Sequence, residues 1–358
     1  MAIRVAHIGT GNAGRIALNH LISDPRFELT GVWVSSDAKV GRDAGELAGL
    51  DAPTGIVATD DLDVLLADQP ECAVYCAIGD NRIPEAVTDV LRILSAGINV
   101  VGTSPGVFQY PWGVMPDKYI APIEQAAQQG NSSLFISGVD PGFANDLIPF
   151  AIASTCQRIE QVRCMEIADY ATYDGATVMF DVMGFGWTLD KTPMLLQPGV
   201  LGMAWGTTIR QLSAGFGIDV DEIKDSCIRI PAPEAFDVAV GHIPEGGQAA
   251  LRFEIVGMVK GRPAIVIDHV TRLREDLCPE WPQPAQPGGS YKVEIFGEPS
   301  YTVDICPTSR RGDHNYAAIA AGAGRVVNAI PAVVAAPPGI RTTLDLPLIT
   351  GKGLFDAK

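Results

Sequence analysis

The spacing of hydrophobic and polar positions changes once along the chain. From residue 1 to about 140, short apolar runs alternate with stretches in which apolar side chains recur every three or four positions. The runs at 3–8, 29–34, 73–78, 98–102 and 133–137 predict strands, and the stretches 12–22, 61–67, 83–96 and 117–129 predict helices. In the third of these helices Val87, Val90, Leu91 and Leu94 share one face, and Gly97 stands where a helix C-terminus favours a left-handed residue. Alternation of this kind implies a parallel sheet with helices on both faces. Beyond Phe143 the period becomes two, in the runs 160–170, 250–259, 263–273, 290–297 and 300–305, with a hairpin turn expected at KGRP, residues 260–263. These runs predict an α+β domain built on an antiparallel sheet with one open face. The expected division is a first domain over 1–142 and a second over 143–312. An alanine-rich helix at about 313–335, bounded by Pro331, is expected to pack back on the first domain.

The first run, IRVAHI, leads directly into G-x-G-x-x-G at Gly9, Gly11 and Gly14. This is the dinucleotide-binding fingerprint in its strand–turn–helix context. The first glycine permits the tight turn, the second lets the backbone approach a pyrophosphate, and the third lets helix and strand pack closely. Thr10, Asn12 and Ala13 complete the loop, whose following helix directs free N–H groups at phosphates. The first domain is therefore expected to be α/β and Rossmann-type. Where an NAD site usually carries a carboxylate, at the end of the second strand, this chain has Val34, Ser35 and Ser36, with Lys39 and Arg42 close behind. Hydroxyls and a cation suit a 2′-phosphate, so NADP(H) is favoured over NAD(H). Asp37 could reach the ribose instead, and Ser36 or Asp37 could simply cap a helix. Ala77, Ile78 and Gly79, with Gly102, Thr103 and Ser104, end two further strands where ligands of open parallel sheets bind.

Composition narrows the partners. A formal charge of −16 argues against nucleic acid, whose phosphates need clustered Lys and Arg. The apolar stretch 316–336 is rich in Ala and Gly and holds Arg325, Asn328 and Pro331, which argues against a membrane span. Seven cysteines without C-x-x-C spacing read as reduced and structural. No residues have zinc spacing, and no G-x-S-x-G turn suggests a hydrolase. The chain starts in a strand without a basic leader, so a cytoplasmic protein is expected.

Several blocks together resemble one family: GTGNAGR at 9–15, GRDAGELAG at 41–49, VYCA at 74–77, GVDPGF at 138–143, MGFG at 183–186, and HNYAAIAAGAGRVVNAIP at 314–331 followed by PPGI. The pattern is similar to that of the 2,4-diaminopentanoate dehydrogenase and native amine dehydrogenase group, whose N-terminal fold is that of dihydrodipicolinate reductase. The histidine-rich motif and catalytic lysine of true dihydrodipicolinate reductases are absent. The resemblance implies a homodimer performing NAD(P)-dependent chemistry at a carbon–nitrogen bond, either oxidative deamination of an amine or reduction of an imine. It also implies an acidic residue in the loop after the fifth strand. Here that loop, residues 103–110, reads TSPGVFQY and has no carboxylate.

Asp140 is the candidate replacement, because the family's more common G-V-N-P-G-F is G-V-D-P-G-F here; the competing reading is a turn residue before Pro141. Tyr170, Tyr173 and Asp174 are further polar candidates, with Tyr173 a proton donor. His242 is less persuasive, and His269, alternating with Ile265 and Ile267, reads as a sheet-face histidine. Phe108, Trp112, Phe143, Met179, Phe180, Met183, Phe185 and Trp205 hint at a small hydrophobic amine or carbonyl substrate, though such residues more often form core. Two rivals remain beside an amine dehydrogenase: a ketone or aldehyde reductase, and a non-catalytic dinucleotide-binding paralogue.

Overall fold

A computed structural model describes residues 2–355 and divides the chain into two units, one running to Val139 and resuming at Ile319, the other covering Asp140–Ala318. In chain order the first contains β1 (Ile3–Ile8), α1 (Asn12–Ser23), β2 (Phe27–Trp33), α2 (Ala44–Ala48), β3 (Ala58–Thr59), α3 (Leu62–Ala67), β4 (Cys72–Tyr75), α4 (Ile83–Ser95), β5 (Asn99–Gly102), α5 (Asp117–Gly130) and β6 (Ser133–Ile136). The helix periodicity is realised as burial: α4 turns Ala86, Val87, Val90, Ile93 and Leu94 inward. Cys72 and Cys76 lie in the core as free thiols, and burial pushes Cys76 up to about 11, so both behave as small hydrophobes.

The second unit contains α6 (Leu147–Ala153), β7 (Arg158–Asp169), α7 (Val200–Ala204), α8 (Gly206–Phe216), β8 (Glu222–Pro231), the short hairpin β9 (Phe236–Val238) and β10 (Gly241–Ile243), β11 (Gln248–Val259), β12 (Arg262–Arg272), β13 (Gly289–Glu298) and β14 (Tyr301–Ile305). Its main sheet runs β14-β13-β7-β12-β11-β8. Lys260 and Gly261, at φ 49° and 76°, form the tight turn between β11 and β12, the geometry that suits the twist of a two-residue hairpin. The sheet is mixed rather than wholly antiparallel. β7 and β12 lie side by side in parallel, while the remaining pairs are antiparallel. Their long separation in sequence makes this possible, because a parallel pair needs a crossover and cannot be closed by a turn.

One face of this sheet buries Val162, Cys164, Leu251, Phe253, Ile255, Ile265, Ile267, Val293 and Ile295 against Ile209 and Leu212 of α8 and against Met179, Met183 and Phe185. Fully burying each large side chain stabilises by about 1.5–3 kcal/mol. The other face carries ion pairs from Asp268 to Arg163 and Arg252, beside a smaller cluster of Met165, Ile167, Val270 and Trp281.

The chain ends with α9 (His314–Val334) and β15 (Gly339–Arg341). β15 pairs in parallel with β6, completing the first unit's seven-stranded sheet β15-β6-β5-β4-β1-β2-β3. The helix is long and apolar enough to cross a membrane, but Ala323, Val326, Val327, Ala329, Ile330 and Val333 are buried beside Val5, Val74, Val101 and Phe135 of the sheet. Pro331 does not bound the helix as expected; it lies inside, three residues from the end. A proline so near the C-terminus removes one ladder bond but leaves little helix beyond it to misdirect.

Candidate active site

In the first unit, β1 delivers the fingerprint loop at its carboxyl end. Gly9 has φ 90°, and a Cβ there would sit 2.5 Å from the backbone nitrogen of Ala77; at Gly14 a Cβ would sit 2.0 Å from the Gly9 carbonyl oxygen. Both positions exclude any side chain. Gly11 differs: a Cβ would meet nothing within 4 Å. This is open space at the N-terminus of a twelve-residue helix whose cap makes no side-chain hydrogen bond. The residues present thus fit a dinucleotide pyrophosphate, which needs close approach to a bare backbone at a helix N-terminus. His7, unremarked in the sequence, lies fully buried beneath the loop with Nε2 2.7 Å from the Gly9 carbonyl, and burial pushes it down to about 4, so it is neutral.

At the end of β2, Val34 is buried and Ser35, Ser36 and Asp37 are exposed. Ser36 precedes the short turn Asp37–Lys39 without capping it through its side chain. Lys39 reaches back to the fingerprint, its Nζ donating to the Thr10 carbonyl (2.9 Å) and hydroxyl (3.1 Å). Arg42 instead pairs with Glu46 at 2.8 Å. After β4, Ala77 is buried against Gly9 and Ile78 is 56% exposed; Thr103 directly follows β5, its N–H donating to the Tyr75 carbonyl. The loop after β5 receives a carboxylate from its neighbour. Asp80 accepts from the Ser104 hydroxyl at 2.8 Å and from the Gly106 N–H at 2.7 Å.

The second unit gathers polar groups on the apolar face of its sheet. Strand register aligns Phe253, His269, Glu166 and Tyr291 across four adjacent strands. Phe253 and His269 are stacked rings 4.7 Å apart, and Trp205 packs on both. His269 Nε2 lies 3.2 Å from Glu166 Oε1, with Thr271 3.0 Å from Nδ1 on the other side of the ring. The Tyr170 hydroxyl donates to the same Glu166 oxygen at 2.5 Å, and Tyr173 stacks on Tyr170 at 5.0 Å. Asp140 Oδ1 accepts from Asn145 Nδ2 (2.6 Å) and Trp205 Nε1 (2.9 Å).

The Asp140 carboxylate does not bond the turn's amide itself; it accepts from Asn145, whose Oδ1 in turn accepts from the Gly142 N–H. Withdrawal from water and the nearby charge of Glu166 push Asp140 up to about 6, against the opposing pull of His269 and of its two donors. Burial opposes charge on both Glu166 and His269, but each is the other's partner, so Glu166 is held below and His269 above its ordinary range. Burial and Glu166 raise Tyr170 and Tyr173, which keep their protons.

Glu166 is the residue that sequence reasoning missed. Its signal was a carboxylate at the third of the alternate positions Val162, Cys164 and Glu166, on the face that turned out buried. His269 is the sheet-face histidine expected, and also a member of this cluster. His242 is exposed and pairs with Asp237, and Asp174 is exposed. Of the aromatic and methionine candidates, Met179, Met183 and Phe185 are core in the second unit and Phe108 is buried in the first; Trp205 touches the cluster directly. Among the described residues no group of His, Cys, Asp and Glu could hold a metal ion.

Residues 143–354 match the family model of the 2,4-diaminopentanoate dehydrogenase C-terminal domain. An amine dehydrogenase of Streptomyces virginiae is 40% identical over 357 residues, covering 98% of each chain. A 2,4-diaminopentanoate dehydrogenase of Acetoanaerobium sticklandii is 22% identical, covering 97% of this chain and 94% of its own. In fold, the chain is similar to the amine dehydrogenase of Mycobacterium smegmatis, with a TM-score of 0.79 at 22% identity over 99% of each chain, and to a probable dehydrogenase from Thermotoga maritima, with a TM-score of 0.56 at 15% identity over 96% and 92%. The chain belongs to the 2,4-diaminopentanoate dehydrogenase and amine dehydrogenase family of oxidoreductases.

Proposed function

We propose that the protein interconverts a small hydrophobic primary amine and the corresponding ketone or aldehyde plus ammonia, using a nicotinamide dinucleotide, with NADP(H) preferred to NAD(H). The observation that carries this reading is Asp140, a carboxylate raised to about 6 amid aromatic rings and a second carboxylate. Such a setting suits a cationic nitrogen and a proton exchanged near neutrality. The dinucleotide, when bound, supplies or accepts the hydride. Gly9, Thr10, Gly11, Asn12 and Ala13 would hold its pyrophosphate, Ser35, Ser36 and Lys39 its 2′-phosphate, and Ala77, Ile78 and Thr103 its nicotinamide end.

In the deamination direction Asp140 takes a proton from the substrate ammonium, freeing the nitrogen lone pair that becomes the C=N bond as the carbon loses hydride. Water adds to the resulting iminium, and as the carbonyl forms the nitrogen leaves as ammonium, carrying the proton that the water gives up. In the reverse direction protonated Asp140 returns the proton. Tyr173, stacked beside Tyr170, would donate a hydrogen bond during the exchange. The test is turnover of a set of aliphatic and aryl-alkyl ketones with NADPH, with and without ammonium chloride. Reduction only in the presence of ammonia supports the reading. Reduction of the carbonyl alone would make it a carbonyl reductase, and no turnover would make it a non-catalytic binder. A homodimer in the cytoplasm belongs to the same reading, and light scattering of the purified protein tests the dimer.

Cofactor preference has its own test. NADPH is expected to bind at least about tenfold more tightly than NADH, a difference of roughly 1.4 kcal/mol. Ser36→Asp with Lys39→Ala should reverse the order, by adding repulsion and removing the counter-charge that Thr10 anchors. Fluorescence titration of both cofactors decides it, and equal affinities in the parent would exclude the 2′-phosphate assignment.

A further inference from the structure

We infer that Glu166 is the group that grips the substrate nitrogen, beside the proton exchange assigned to Asp140. The inference rests on the amine reading above and adds a residue to it. Three observations carry it. First, the cluster is rich in carboxylate: Glu166 and Asp140 stand with His269, within a wall of Trp205, Phe253, Tyr170 and Tyr173, while the other imidazole that acts on Glu166, His314, is pushed by burial towards its neutral form. An ammonium or iminium is attracted to carboxylate there, and aromatic faces attract it further.

Second, each carboxylate is satisfied on one side only. Glu166 Oε1 takes the Tyr170 hydroxyl and faces His269, and Asp140 Oδ1 takes both Asn145 and Trp205. Glu166 Oε2 and Asp140 Oδ2 carry no hydrogen bond among the described residues. A primary nitrogen has several N–H donors and can serve both oxygens, one gripping and one exchanging the proton. Third, the rival carboxylate is spent. Asp80 has one oxygen bonded by Ser104 and the other by Gly106, so it braces the loop after β5.

A structural Glu166–His269 ion pair is the competing explanation, and kinetics separate the two. With NADPH saturating, Glu166→Gln is expected to raise the KM for ammonia at least about thirtyfold, with the KM for the ketone and the affinity for NADPH changing less than about threefold. Glu166→Asp should recover part of the loss. A variant that loses kcat and thermal stability with an unchanged ammonia KM would overturn the inference and leave the amine reading standing. A parent enzyme that aminates no carbonyl would overturn both. Should Glu166→Gln not fold, Tyr170→Phe carries the test, since it removes one donor from the same carboxylate and keeps the ring. A several-fold rise in ammonia KM alone supports the assignment, and no change overturns it.

Discussion

Asp140→Asn is expected to cut kcat by about a hundredfold or more, in either direction, while leaving dinucleotide affinity unchanged. The substituted amide keeps an oxygen to accept from Asn145 and Trp205, so the local hydrogen bonds survive and only proton exchange is lost. The pH dependence has a definite sign. Deamination needs the ionised base, so the parent rate should rise with pH through about 6, and reductive amination needs the acid, so that rate should fall through the same point. Stability follows the raised carboxyl: its contribution is fully present below the unfolded value near 3.8 and is lost as pH rises through about 6. The Asn variant should therefore gain Tm relative to the parent at pH 8 and not at pH 4. Near-normal turnover in the variant would reassign Asp140 to packing and turn attention to Tyr173.

Gly11→Val is expected to abolish detectable dinucleotide binding in a folded protein. The position is open, so the side chain meets no backbone and costs the first unit little packing, yet it fills the space a pyrophosphate needs. Gly14→Val is the contrasting control: its Cβ would lie 2.0 Å from the Gly9 carbonyl oxygen, which forces α1 away from β1 and should unfold the unit. Circular dichroism and cofactor titration are read together. Retained binding in a folded Gly11→Val protein would mean that the loop does not cradle the cofactor.

Much of the first unit was legible because its chemistry is local. The fingerprint, its strand and its helix are consecutive in sequence, and α1, α4 and α5 begin where periodicity places them. Asp140 was legible as a polar exception in a family pattern. Glu166 and His269 were not legible as a pair, although each showed its face through alternation with apolar neighbours. What joins them is strand order: β7 and β12 are adjacent and in parallel register, so residues about a hundred positions apart become neighbours. Period two reports which face a side chain takes, and says nothing of which strand lies alongside. Asp80 was missed for a similar reason, since its bonds run to Ser104 and Gly106 in the next strand's loop. Pro331 misled through a local rule that weakens in the last turn of a helix.

Because β15 and most of α9 follow the second unit in sequence, the first unit's parts are made at two separate times. The first unit's core is finished by Ala323 through Val333, and its sheet by a strand at Gly339–Arg341. Domains usually fold as they leave the ribosome, the N-terminal one first. Here the N-terminal segment emerges early but lacks one side of its core until Ile319 and the residues after it are made, whereas Asp140–Ala318 is by then already whole. The segment made first therefore waits, with one face of its sheet uncovered, for residues that follow the whole of the second unit.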